Sequence, residues 1–169
     1  MRTRFVIAMF VMLALVVPSA LLAQDGKAVT AKQLVGAWKL VSVTWERDGN
    51  KSDLFGPNPE GITIFSRNGQ FARVETRAGL SKFASNNRQK GTPEDNQAVV
   101  QGTLAYFGTY SCNTADHACT FHVQGSTFPN WVGAEQKRPF TLVGDELRET
   151  NPAASTGSGK ALAVWKRIR

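Results

Sequence analysis

Residues 38–49 read WKLVSVTWERDG, an alternating run that ends in a turn-forming pair. Alternate side chains share one face of a β-strand, so this run predicts a strand with two distinct faces. One predicted face carries Trp38, Leu40, Ser42 and Thr44, and the other carries Lys39, Val41, Val43 and Trp45. Asp48-Gly49 is typical of the tight turn of a β-hairpin. We therefore expect the chain to turn back on itself directly after this strand.

Short strands and tight turns continue to the end of the chain. Asn68-Gly69 and Gly144-Asp145 are two more turn pairs. The predicted strands that follow cover residues 61–65, 70–76, 103–112, 119–124, 138–143, 146–150 and 161–168. Eight to nine short strands in this order favour an all-β fold, a single up-and-down antiparallel β-barrel. An eight-stranded barrel is near the size that holds one small ligand.

Helical signals are confined to two short segments. Residues 30–35 form one predicted helical turn with Thr30 as its N-cap. The second helix is predicted over residues 93–101, because Thr92 is a favourable N-cap and Pro93 suits the first helical position. A long polar loop over residues 77–91 precedes it. The barrel is therefore expected to carry one short inserted helix.

The first 23 residues resemble a secretory signal peptide. Arg2 and Arg4 form a basic start, and Phe5–Val17 is an apolar run of 13 residues. A membrane anchor is the alternative, but spanning a bilayer takes about 20 residues. Cleavage after Ala23 divides the chain into residues 1–23 as signal peptide, 24–32 as leader and 33–169 as barrel domain. We expect a periplasmic or secreted protein with no membrane span in its mature form.

The charge of the chain is basic but dispersed. The formal net charge is +7, and loss of Arg2 and Arg4 with the signal leaves +5. The basic residues do not form the aromatic-interleaved stripe that single-stranded nucleic-acid binders use. The expected partner is therefore a small hydrophobic molecule and not a nucleic acid, while the oligomeric state stays open.

Cys112 and Cys119 flank a short polar turn between two predicted strands. Cysteines at the two ends of a hairpin turn are close enough to form a disulfide, and an oxidising compartment permits it. The alternative is a pair of metal ligands, but one Cys-x6-Cys without a second pair is poor zinc spacing. No metal site is expected, because the chain has two histidines and no carboxylate cluster at ligand spacing.

Six segments carry a resemblance to a known family. They are LVGAWKLVS at 34–42, FGPNPEG at 55–61, AYFGTY at 105–110, HVQGS at 122–126, FPNWVG at 128–133 and VWKR at 164–167. Together they resemble the bacterial lipocalin-like domain family of calycin-type β-barrels, over about residues 33–167. The resemblance implies a ligand cavity, with Lys166 or Arg167 covering Trp38 through a cation–π contact. The chain departs from the family in its signal peptide and its cysteine pair.

Tyr106, Tyr110 and His122 are the candidate catalytic residues and also candidate ligand-binding residues. Tyr106 and Tyr110 share one face of a predicted strand, and His122 lies on the next strand. A histidine whose pKa lies near neutrality suits general-base chemistry on an enolisable or cyclising substrate. The alternative is that His122 and a tyrosine belong to a buried polar network.

Phe128, Asn130 and Trp131 are the remaining candidate ligand-binding residues. Two large aromatic side chains beside a proline are expected to form a lid at the barrel mouth, with Asn130 orienting a carbonyl or hydroxyl group. The alternative is that Phe128 and Trp131 plug one end of the core. Arg73 and Glu75 share a strand face with Phe71 and are expected to face water, although an inward Arg73 would suit a ligand carboxylate.

Three hypotheses for the function follow from these observations. The first is an exported barrel that binds or carries a small, mostly hydrophobic ligand. The second is a cofactor-independent isomerase or cyclase that uses His122 with a tyrosine inside the barrel. The third is an interaction protein with a filled barrel, for which residues 77–91 form a docking surface. No cofactor is expected, because the chain has no phosphate-binding loop or dinucleotide-binding motif.

Overall fold

One helical turn leads into a meander of nine strands in the computed structural model, which describes residues 28–169. The helices are α1 (Ala31–Leu34), α2 (Pro93–Gly102) and a 3-10 turn (Pro129–Trp131). The strands are β1 (Gly36–Arg47), β2 (Asn50–Asp53), β3 (Glu60–Phe65), β4 (Gln70–Thr76), β5 (Thr103–Asn113), β6 (Ala118–Ser126), β7 (Glu135–Val143), β8 (Glu146–Asn151) and β9 (Lys160–Arg167). The predicted signal peptide lies outside the described residues. Within them, no helix is both long and apolar enough to cross a bilayer.

Eight of the nine strands close into an antiparallel barrel. Each strand from β3 to β9 pairs with the next, and β9 pairs back onto β1. The first half of β1 pairs with β3, whereas its far end pairs with β2 through the Asp48-Gly49 hairpin. β2 therefore extends one edge beyond the barrel wall. The predicted all-β, up-and-down barrel with one short inserted helix is confirmed.

A β-bulge shifts the faces of β1. The register with β9 slips between Leu40 and Ser42, so that one extra residue is placed in β1. As a result Trp38, Leu40 and Val43 are buried, whereas Val41 is 48% exposed. The predicted faces are correct as far as Leu40 and wrong beyond it, because strict alternation does not anticipate a bulge.

α1 and β9 cover the closed end of the barrel. The Trp38 indole donates a hydrogen bond to the Leu34 carbonyl at 2.8 Å. The Arg167 guanidinium lies over the Trp38 ring, 4.0 Å from its centroid, and donates to the carbonyl oxygens of Val35 and Gln33. The predicted basic cover of Trp38 is therefore Arg167.

The disulfide also lies at this end of the barrel. Cys112 and Cys119 face each other across the β5–β6 hairpin and are bonded. This confirms the predicted disulfide and removes the alternative of a metal-binding cysteine pair. The predicted caps Thr30 and Thr92 both accept hydrogen bonds from the first turns of their helices.

The connections at the opposite end are longer and surround the barrel mouth. They include the segment between β4 and β5, which contains α2, and the loop between β8 and β9. The Arg77 amide donates to the Gly102 carbonyl at 2.7 Å, which fastens the end of α2 to the end of β4. α2 therefore lies beside the mouth, where its last turn contributes side chains to a cavity.

Candidate functional site

Aromatic side chains fill the half of the barrel near the closed end. Phe121 lies at the centre, with its ring centroid 4.8 Å from that of Phe71 and 5.8 Å from that of Phe140. Phe65 and Tyr110 pack edge to face at 5.0 Å beside them. All five side chains are buried. These aromatic rings therefore fill the barrel interior in this half.

A buried cluster of charged and polar side chains lies above the aromatic layer. Glu149 on β8 accepts two parallel hydrogen bonds from Arg73 on β4, both at 2.6 Å. Arg138 on β7 also donates to Glu149 and to Gln136. The Tyr106 hydroxyl oxygen on β5 accepts from both arginines at 2.8 Å. Four strands thus contribute to one hydrogen-bonded network, which we call the polar floor.

The expectation that Arg73 and Glu75 face water is wrong. Both alternate with Phe71 on the inner face of β4, where Arg73 is 2% exposed and Glu75 is 5% exposed. The outer face carries Val74 instead, which is 42% exposed. Because Phe71 is buried, the residues that alternate with it also point inwards. Arg73 is tolerated inside the barrel because Glu149 compensates its charge directly.

The arginines are also held between aromatic rings. The Arg73 guanidinium lies 4.6 Å from the centroid of Trp165, and that of Arg138 lies 4.9 Å from the centroid of Phe121. A guanidinium is attracted to the face of an aromatic ring, more strongly where water is excluded. These contacts fix the two side chains in place, so the polar floor is preorganised.

The two carboxyl groups of the polar floor differ in charge. Burial alone would raise the pKa of Glu149, but Arg73 and Arg138 outweigh it and hold the pKa at about 2. Burial raises the pKa of Glu75 to about 7, because Arg73 opposes it only from 3.8 Å. Burial also raises the pKa of the Tyr106 hydroxyl. Glu149 is therefore ionised at neutral pH, whereas Glu75 titrates there.

Two connected cavities open from the polar floor towards the mouth. The inner one has a volume of about 20 Å³, room for about one water molecule, and is lined by the polar floor and Trp131. The outer one, which we call the mouth cavity, has a volume of about 430 Å³. Leu54, Leu104 and Ser155 line both cavities and form the neck between them. Of these two cavities, the one at the mouth is large enough for a small ligand, whereas the inner one is not.

The mouth cavity combines an apolar wall with a polar rim. The apolar side chains are Leu54, Phe55, Val100, Leu104 and Phe128. The polar ones are Arg77, Gln101, Thr103, Thr127, Ser155 and Thr156. These residues come from α2 and from loops or strand ends at the open end of the barrel. The mouth cavity is therefore formed mainly by the connections between strands.

The structure separates the two candidate tyrosines. Tyr106 belongs to the polar floor, whereas the Tyr110 hydroxyl donates to the Ser66 carbonyl at 3.0 Å near the closed end. Four residues along a strand correspond to about 13 Å. Tyr110 therefore packs in the aromatic layer and does not reach the mouth cavity.

The structure places His122 on the outer surface of the barrel. Its neighbours Phe121 and Val123 are fully buried, so alternation directs His122 outwards, where its side chain is 50% exposed. Its Nδ1 atom lies 3.9 Å from a carboxylate oxygen of Glu135. The hypothesis that His122 acts with a tyrosine inside the barrel is therefore wrong.

The aromatic residues of the 128–131 segment have different positions. Phe128 lines the mouth cavity, as expected for a residue at the barrel mouth. Trp131 is buried and packs edge to face against Tyr106 at 5.1 Å, so it closes the side of the polar floor. Asn130 is exposed and contributes to neither of the two cavities.

Sequence reasoning missed Arg138 and Glu149, which are central to the polar floor. A usable signal exists in strand alternation, because Arg138 alternates with Phe140 on β7 and Glu149 alternates with Leu147 on β8. In each case the charged residue lies on the same face of its strand as a buried apolar residue. This alternation predicts a buried charge only when it is known which face of the strand points into the barrel.

Comparison with known proteins agrees with this architecture. A 4'-hydroxy-3'-methoxypropiophenone carrier protein of Aspergillus oryzae is 25% identical to the chain over 101 residues, which cover 54% of the chain and 91% of that protein. The family model described as the lipocalin-like domain matches residues 35–168. That match spans the whole barrel from β1 to β9. The chain therefore belongs to the lipocalin-like domain family.

Proposed function

We propose that this protein binds and carries a small, mostly hydrophobic molecule, whose apolar body occupies the mouth cavity. The observation that carries the proposal is the mouth cavity itself. Its volume of about 430 Å³ lies in the range of ligand pockets, about 300–1,000 Å³. Its apolar wall leads through the neck to a small set of fixed polar groups, which is the usual composition of a ligand site.

The relative named as a carrier supports this proposal. That protein is 25% identical to this chain over 101 residues, and its name describes a carrier of 4'-hydroxy-3'-methoxypropiophenone, an aromatic ketone. Transfer of the carrier role to this chain is part of our proposal. So is export to the periplasm or the medium, which rests on the signal-like residues 1–23.

Native mass spectrometry of the protein recovered from the envelope fraction of its own host tests the proposal. We expect a reproducible adduct that solvent extraction removes. We also expect Val100→Trp to reduce its occupancy, because Val100 lines the mouth cavity and is 77% exposed, so the added ring enters the cavity without disturbing the core.

Val143→Trp is the matched control, because Val143 is 56% exposed at the opposite end of the barrel. Its adduct occupancy should equal that of the wild type. A wild-type protein that carries no adduct, or equal occupancy in both variants, contradicts binding at the mouth. The filled half of the barrel near the closed end then favours an interaction protein, for which the 77–91 loop is the surface to test.

A further inference from the structure

The route from the mouth to the polar floor is bordered by cationic side chains. Arg77 is the charged residue among those that line the mouth cavity in the described part of the chain. Arg73 and Arg138 line the inner cavity below it. A ligand that enters with its polar head first therefore meets Arg77 at the rim and then Arg73 and Arg138 at the polar floor.

Both buried arginines retain unused hydrogen-bond donors. A guanidinium has five N–H groups. Within the described residues, Arg73 donates three hydrogen bonds to Tyr106 and Glu149. Arg138 also donates three, to Tyr106, Glu149 and Gln136. The Nε atoms of both arginines are buried without a partner. A buried donor without an acceptor is costly, so an acceptor placed at the polar floor would be favoured.

The two carboxyl groups of the polar floor differ in their contacts to the arginines. Glu149 is bonded to both arginines. The Glu75 carboxyl accepts no hydrogen bond within residues 28–169, and its contact to Arg73 is 3.8 Å long. With Glu75 protonated, two guanidinium groups face one carboxylate. The polar floor then has a net charge of +1, and a bound anion would bring this charge to zero.

The inner cavity limits the size of the compensating group. Its volume of about 20 Å³ admits about one water-sized group beyond the neck. One oxygen atom of a ligand fits this space, while the rest of the ligand stays at the neck and in the mouth cavity. A planar head with a protruding oxygen therefore suits the site better than a bulky tetrahedral one.

We propose that the ligand is a weak organic acid with an apolar body and one compact carboxylate or phenolate head, held by Arg73 and Arg138, and that Glu75 takes up a proton when this anion binds. This inference rests on the proposed carrier function and names the ligand class of the same site. The groups that face Glu75 are Arg73 on its own strand, Tyr106 on β5, Arg138 on β7 and Glu149 on β8.

The proton balance of the step is simple. The ligand enters as an anion, and the Glu75 carboxylate accepts one proton from the solvent, so the charge of the polar floor with its ligand is unchanged. Because burial already raises the pKa of Glu75 to about 7, this uptake is small at pH 6 and approaches one proton per ligand at pH 8.

Three probes with the same body and different heads test the ligand class by isothermal titration calorimetry at pH 6. They are 4-phenylbutyrate, 4-phenylbutan-1-ol and 4-phenylbutylamine. We expect the acid to bind about tenfold or more tighter than the alcohol, the size of one charge-assisted hydrogen bond, and the amine to bind most weakly.

Equal affinities of the acid and the alcohol overturn the acid inference and leave the carrier proposal standing, since the apolar body then suffices. A preference for the amine overturns the inference as well. Binding of none of the three probes contradicts both proposals, so the two failures are distinguishable.

Proton uptake is measured with 4-phenylbutyrate at pH 8 in phosphate and in Tris buffers, whose ionisation enthalpies differ. The wild type should take up close to one proton per ligand. Glu75→Gln should take up none and should bind the acid as tightly at pH 8 as at pH 6. Glu135→Gln is the control, because Glu135 is 74% exposed on the outer surface and should leave the uptake unchanged. Uptake that persists in Glu75→Gln overturns the role of Glu75.

Discussion

Replacement of Glu75 by glutamine should remove a loss of stability that the wild type undergoes as the pH rises. Glu75 is 5% exposed and lies 3.8 Å from Arg73. Its pKa is about 7 in the folded chain, against an ordinary value of 4.5. Between these values the folded state holds a proton that the unfolded state has released. The free energy of unfolding therefore falls as the pH rises through this window.

The size of the effect follows from the two pKa values. Their difference corresponds to about 3 kcal/mol of stability, present below pH 4.5 and lost by about pH 8. A glutamine amide does not titrate, so Glu75→Gln escapes this loss. We expect the stability of the variant relative to the wild type to rise by about 3 kcal/mol between pH 4.5 and pH 8.

Urea unfolding at pH 4.5, 6, 7 and 8, with the disulfide intact, measures this difference. Glu135→Gln, which alters an exposed carboxylate, should show no such trend. The reasoning is refuted if the difference between Glu75→Gln and the wild type is the same at every pH, or if the variant loses relative stability as the pH rises.

Three further predictions concern the contacts that hold the barrel together. Glu149→Gln should destabilise the fold by about 3–5 kcal/mol at pH 7, because two buried guanidinium groups lose their carboxylate. The deficit should shrink in urea unfolding as the pH falls from 4.5 towards 2, since the unfolded wild type then gains a proton on Glu149 that the folded state binds only near pH 2. Arg167→Ala should cost about 2 kcal/mol in thermal unfolding through lost contacts to Trp38 and α1, whereas Lys166→Ala should be near neutral; equal losses would contradict that role. The double change of Cys112 and Cys119 to serine should cost about 2–3 kcal/mol in urea unfolding, and an unchanged midpoint would show that the disulfide adds no stability.

The elements of this protein were readable from the sequence because their signals are local. Asp48-Gly49 has two residues with positive φ at the first hairpin, and Thr92 caps α2 through its own first turn. Each signal depends on residues within a few positions of one another. Their order along the chain was enough to predict an up-and-down barrel, since each strand pairs with its neighbour.

The polar floor was not readable in this way. Arg73, Arg138 and Glu149 are each isolated charges on separate strands, and the contact between Arg73 and Glu149 joins residues 76 positions apart. Taken singly, a charged residue on a strand indicates a solvated face. The phase of each strand depends on which side packs inwards, and the bulge in β1 shows that this phase can change within a strand.

The sequence by itself located eight of the nine strands, the turns, the caps and the cysteine pair, because short-range backbone preferences and spacing govern them, whereas β2 was not predicted. Only the tertiary structure decided that His122 points outwards, that Arg73 and Glu75 point inwards, and that the open space lies at the mouth. Barrel closure brings distant side chains onto one inner surface, and packing of the large aromatic residues fills the half of the barrel interior near the closed end.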